Sequence, residues 1–91
     1  MAFGEVLTRI RTKAKISQYA LATDAQVDPA YVWRLEKGER SNPRRDTILR
    51  LVSALMNSSG KITLKDVDRL MKAAGYGPVP RKSVTFRKFR K

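Results

Sequence analysis

With 91 residues, 42% of them hydrophobic, the chain has the length for one small domain and little to spare for a second. It contains no cysteine and no histidine, which excludes disulfide staples and zinc sites built on thiolate or imidazole, and which suits a reducing cytoplasm. Twenty basic residues against eight acidic ones give a net charge of +12, a field that draws polyanions, nucleic acid first among them.

Phe3, Val6, Leu7 and Ile10 recur at helical spacing and predict a first helix over 3–13, with Arg9 and Lys13 pointing outward. Lys13-Ala14-Lys15-Ile16 connects it to a second helix over about 17–24, which Ser17 can cap and whose inward face is Ala20, Leu21 and Ala22. Gln18, just inside the positive end of that helix, is placed to reach a phosphate oxygen. After the turn Asp24-Ala25-Gln26-Val27, Asp28-Pro29 is a strong start signal for a third helix over 29–37. Asp accepts a hydrogen bond from an orphan N–H, Pro brings the helical φ, and Gly38 is the stop. On a helical wheel Val32, Leu35 and part of Tyr31 face one way, and Pro29, Ala30, Trp33, Arg34 and Lys37 the other. An apolar back and a front of Trp, Arg and Lys suit a probe that enters a negatively charged groove.

Gly38 to Pro43 reads as a loop, and a fourth helix follows over 44–56 with Ile48, Leu51, Val52 and Leu55 as its inward stripe. Arg40, Arg44 and Arg45, in the loop and at the helix start, are placed to touch phosphates. Asn57-Ser58-Ser59-Gly60 is a break. Thr63-Leu64-Lys65-Asp66 resembles a capping box that opens a fifth helix over 64–74, lined by Val67, Leu70, Met71 and Ala74 and ended by Gly75. Beyond the spacer Gly75-Tyr76-Gly77-Pro78-Val79-Pro80, the segment 81–91 carries six positive charges and no acid, with Val84, Phe86 and Phe89 interleaved. Arg81, Lys82, Phe86, Arg87, Lys88, Phe89 and Arg90 form a candidate arm toward DNA or a partner.

The residues Ser17-Gln18, Leu21-Ala22, Val27-Asp28, Tyr31-Val32, Arg34-Leu35-Glu36 and Gly38 resemble the helix-turn-helix of the phage-repressor and Cro class, the XRE family. Phe3-Gly4-Glu5-Val6-Leu7 and Ile10-Arg11 before them, and Arg40, Asn42-Pro43, Ile48, Leu51 and Ala54-Leu55 after them, extend the likeness over roughly 3–56. The Ala73-Ala74-Gly75-Tyr76 ending matches weakly. The resemblance implies an all-α fold: a compact five-helix repressor-like domain over 1–75, with the spacer and basic aromatic tail over 76–91. It also implies that Arg11 pairs with Glu36 beneath the third helix, and that the fifth helix completes the core and, as often in the family, forms the dimer contact. Two positions depart from the family pattern. The family usually has Gly in the turn where this chain has Gln26, which predicts a positive φ there. It tends to have a small polar residue where this chain has Trp33.

These readings converge on a sequence-specific double-stranded DNA-binding transcription regulator, a homodimer on a two-fold symmetric operator. Pro29, Ala30, Trp33 and Arg34 are the expected base contacts, and Gln18, Lys37, Arg40, Arg44 and Arg45 the expected phosphate contacts. The alternative from another class is an antitoxin or similar interaction module, whose protein partner (a toxin or an antirepressor) binds Trp33 or the Phe86/Phe89 tail. A third reading gives the tail to single strands or RNA. An enzyme is not expected: without His or Cys no nucleophile–base pair assembles, the acids are scattered, and no phosphate-binding glycine loop is present. No cofactor or metal is expected either. No apolar run approaches the ~20 residues of a membrane span, Met1 is not followed by a signal-peptide pattern, and the basic residues do not form one long amphipathic helix. The expected location is the cytoplasm, on the nucleoid.

Overall fold

The computed structural model describes residues 2–39 and 43–76. They form five helices, α1 (Phe3–Ala14), α2 (Gln18–Ala25), α3 (Pro29–Lys37), α4 (Arg45–Ser58) and α5 (Leu64–Ala73), with no strand among the described residues. The fold is all-α.

Local chemistry sets most of the ends. Ser17 accepts a hydrogen bond from the Ala20 amide at 3.0 Å to open α2, and Asp28 accepts one from the Ala30 amide at 3.0 Å to open α3, each satisfying a donor the first turn cannot pair internally. Thr63 and Asp66 exchange bonds as a capping box at α5. Three helices close on a residue in the left-handed region: Lys15 at φ 60°, Gln26 at φ 60° and Gly38 at φ 87°. Only Gly adopts that region without crowding its Cβ, so Gln26 holds the turn between α2 and α3 against a backbone preference.

α1 is the hub, packed against α3, α4 and α5, while α2 joins α3 to α4. The core gathers Phe3, Leu7 and Ile10 of α1, Leu21 of α2, Val32 and Leu35 of α3, Ile48, Leu51 and Leu55 of α4, and Val67, Leu70 and Met71 of α5. Burying one such side chain fully contributes about 1.5–3 kcal/mol, so α5 belongs to the core rather than being an appendage.

Helix ends shift by one residue at several places, and three larger features differ from the sequence reading or escaped it. α4 runs on to Ser58 instead of ending at 56; the Ser58 hydroxyl donates to the Leu55 carbonyl at 2.8 Å, which keeps that residue in the helical turn. Lys13 does not simply point outward: its Nζ donates to Asp66 Oδ2 at 2.7 Å and ties α1 to α5. Tyr76, beyond α5, donates its hydroxyl to the Pro43 carbonyl at 3.0 Å and packs against the core. Burial alone would raise the pKa of Asp66, but donation from Lys13, from the Thr63 amide and from the Thr63 hydroxyl outweighs it. The carboxyl is held below its ordinary 3.8.

Candidate nucleic-acid interface

Pro29 at the first position of α3 and Gly38 just past its end confine this helix to two and a half turns, and its faces are chemically opposite. Val32 and Leu35 are fully buried on the back. Pro29, Ala30, Trp33, Arg34 and Lys37 are all exposed on the front. Trp33 keeps 43% of its surface in solvent, and the Lys37 ammonium lies 4.7 Å from its ring centroid, a cation–π contact that makes the two residues one unit. Arg34, beside them, has no carboxylate within ion-pair distance among the described residues.

What holds α3 in place is Glu36, whose side chain is 5% exposed. Arg11 of α1 donates to it through Nε at 2.6 Å and Nη2 at 3.2 Å, and its remaining Nη1 donates to the Ile16 carbonyl at 2.8 Å. The Thr8 hydroxyl lies 3.0 Å from Glu36 Oε1, and Gln18 of α2 donates its Nε2 to the same oxygen at 2.9 Å. One carboxylate thus joins all three helices of the reading unit. Gln18 remains at the α2 N-terminus with its amide oriented by Glu36 rather than swinging in solvent.

Close packing reinforces this network. A Cβ on Gly4 would lie 2.6 Å from the Glu36 carbonyl oxygen and closer still to that of Leu35, so the start of α1 touches the end of α3 backbone to backbone.

Arg44, the residue before α4, and Arg45, its first residue, are both exposed at that helix's positive end. Arg44 Nε sits 3.8 Å from Asp46 Oδ1, an open surface pair of small energetic weight. Arg40 lies outside the described residues, as do Arg81, Lys82, Phe86, Arg87, Lys88, Phe89 and Arg90.

Two residues near the helix pair were not singled out in the sequence. Thr8 sits one turn before Arg11 on the same face of α1, a spacing that could have marked it once the Arg11–Glu36 contact was considered. Tyr19 follows Gln18 at the α2 N-terminus and is 69% exposed; an aromatic there, off the inward Leu21/Ala22 face, was the available signal. No cluster of three or more metal-binding side chains occurs among the described residues.

α2 and α3 are thus two short helices joined by a tight turn, the second with a buried back, an exposed front and a brace to α1. A family model described as a helix-turn-helix domain matches residues 2–58, well over half of the chain. The chain belongs to the helix-turn-helix domain family. Neither a curated protein nor a solved structure matches it. The matched stretch of the helix-turn-helix domain takes in α1 through α4 and all of the Glu36 network, and α5 lies beyond it. The family is one of DNA-binding regulators, a fold not typically enzymatic. Among the described residues no helix is long and apolar enough to cross a membrane.

Proposed function

We propose that this helix-turn-helix domain is a sequence-specific double-stranded DNA-binding transcription regulator, acting in the cytoplasm as a homodimer on a two-fold symmetric operator. One observation carries the reading. Within the family-matched stretch, α3 buries Val32 and Leu35 and turns Pro29, Ala30, Trp33, Arg34 and Lys37 to solvent on a helix braced from two sides. A rigid helix with such a front fits the major groove.

Arg34 takes the base-reading role, its planar fork matching guanine O6 and N7, the commonest specific contact. Ala30 meets a thymine methyl, while Pro29 brings the start of α3 against the base edges. Trp33 packs on sugar or a methyl edge, with Lys37 above it to meet the phosphate alongside. Gln18, Arg40, Arg44 and Arg45 set the position on the backbone, where contacts fix register without carrying sequence information.

The half-exposed Trp33 also favours a second reading, an interaction module of antitoxin type in which the ring anchors a protein partner. A stable protein that co-purifies with the chain and protects Trp33 from quenching would support that reading over the first.

Arg34→Ala tests the main reading. It is expected to weaken binding to the preferred duplex by about 1–3 kcal/mol while leaving random duplex nearly unaffected. Equal losses on both duplexes would reassign Arg34 to a phosphate.

A further inference from the structure

α1 has two working sides. Gly4, Thr8 and Arg11 meet α3. Val6, Arg9, Ile10 and Lys13 turn toward α5 and, with Asp66 and Arg69, line a groove of about 280 Å³. At roughly 100° per residue, Arg9 and Lys13 stand on the side of α1 opposite Arg11 and well round from Thr8. The groove therefore opens away from the seat of α3.

It continues into a depression of about 420 Å³ lined by Val6, Arg69, Lys72 and Ala73. Lys65, Arg69 and Lys72 are all exposed and fall at i, i+4 and i+7 on α5, one stripe along the outer edge. Five cations (Arg9, Lys13, Lys65, Arg69 and Lys72) thus share this face with two carboxylates of α5. Of those two, Asp66 is buried and held by Lys13 and Thr63, with Arg69 Nη1 3.7 Å from its other oxygen, and Asp68 is half-buried. Glu5, the nearby acid of α1, accepts from the Ala2 amide at 3.4 Å.

We propose that the α1/α5 face is a second phosphate-binding surface, which seats the backbone of a second duplex while α3 occupies the first, so that the domain bridges two DNA segments. The inference rests on the DNA-binding reading of α3. Charge complementarity names the occupant. A second copy docking here through the same face would set these cations against their own images. Protein interfaces are depleted in lysine and centre on an aromatic or aliphatic anchor that fills a pocket. Here the apolar floor, Val6 and Ile10, is itself buried, and no exposed aromatic lies on the face. A polar, net positive surface without an anchor, five cations against Glu5, Asp66 and Asp68, has the composition of a nucleic-acid interface, with Arg and Lys meeting phosphates.

The test uses the full chain and the variant Arg9→Ala/Lys65→Ala/Lys72→Ala, which spares Lys13, Arg69, Asp66 and every residue of α3. Protein is loaded on an immobilised duplex, washed, and offered a labelled second duplex; affinity for one short duplex and the unfolding midpoint are measured in parallel. The wild type is expected to capture the second duplex. The variant should capture about tenfold less, with single-duplex affinity within about threefold of wild type and an unchanged midpoint. Equal capture by the variant would overturn the proposal, placing any bridging in the tail or a dimer contact. A wild type that holds the first duplex but captures no second overturns it as well. So does binding of polyglutamate, in place of a second duplex, that is lost in the triple variant, since the face would then serve an acidic protein. Failure to hold even the first duplex would instead remove the reading of α3 on which the inference depends.

Discussion

Glu36 accepts two hydrogen bonds from Arg11 and one from Gln18, with the Thr8 hydroxyl beside them, so its carboxylate is committed to holding the helices together. Its charge is neutralised inside the protein, which keeps a carboxylate close to DNA from repelling it. Such a pair is costly to break from one side, because the surviving charge stays where water cannot reach it. Arg11→Met, which keeps the aliphatic stem and removes the guanidinium, is expected to lower unfolding free energy by about 3–5 kcal/mol in denaturant titration without DNA. A loss below about 1 kcal/mol would mean that solvent compensates Glu36 in the variant. Gly4 is a sharper probe of the same seat. Gly4→Ala forces a methyl onto two backbone carbonyl oxygens of α3, groups that cannot rotate aside, and about 1–3 kcal/mol of destabilisation is expected by the same titration. In most helix interiors Gly→Ala stabilises, so even the sign of the change tests the packing.

At the scale of the element, α3 was legible from sequence because both of its boundaries are local. Asp28-Pro29 starts it and Gly38 stops it, and no distant residue is needed to say so. The positive φ of Gln26 was legible only by comparison with a family that has Gly in that turn; nothing in Gln itself favours it. The place of α5 in the core was implied by the resemblance, but its partners were not legible in its own residues. Lys13 and Asp66 are 53 residues apart, and the spacing of Val67, Leu70 and Met71 says that a face is buried without saying against what. Tyr76 on Pro43 and Gly4 on α3 were missed for the same reason, since each is a contact between segments remote in sequence.

The Asp66 tie gives α5 a pH signature. Its carboxyl titrates lower in the folded protein than its ordinary 3.8, so the stability it supplies is complete above that value and is lost as pH falls through the lower folded pKa. Asp66→Asn cannot titrate. The gap in Tm between wild type and this variant is therefore expected to be steady from neutral pH down to about 4 and to narrow below it. A gap that stays constant to the acid limit of folding would show that Asp66 is not held in its charged form.

For the whole molecule, the charge distribution is the feature that the fold does not require. Six of the positive charges lie in 81–91, outside the described residues, and nine others lie on the front of α3 (Arg34, Lys37), at the start of α4 (Arg44, Arg45) and on the α1/α5 face (Arg9, Lys13, Lys65, Arg69, Lys72). Each phosphate neutralised adds about 0.9 to the slope of log affinity against log salt. If half of the charges in 81–91 meet phosphate, deleting that segment should lower the slope by roughly 2–3 per chain, measured by fluorescence anisotropy across a salt series. An unchanged slope would give the segment to a partner other than DNA.

The claim that organises the account is that the front of α3 reads sequence, and selection of bound duplexes from a random pool tests it most directly. A two-fold symmetric consensus should be enriched, with half-site centres about one helical turn, 10–10.5 base pairs, or a multiple of it apart. Repeating the selection with Arg34→Ala should relax preference at a single guanine position in each half-site. A pool that binds tightly yet returns with its starting composition would contradict the claim, and would leave the protein with charge alone as its means of holding DNA.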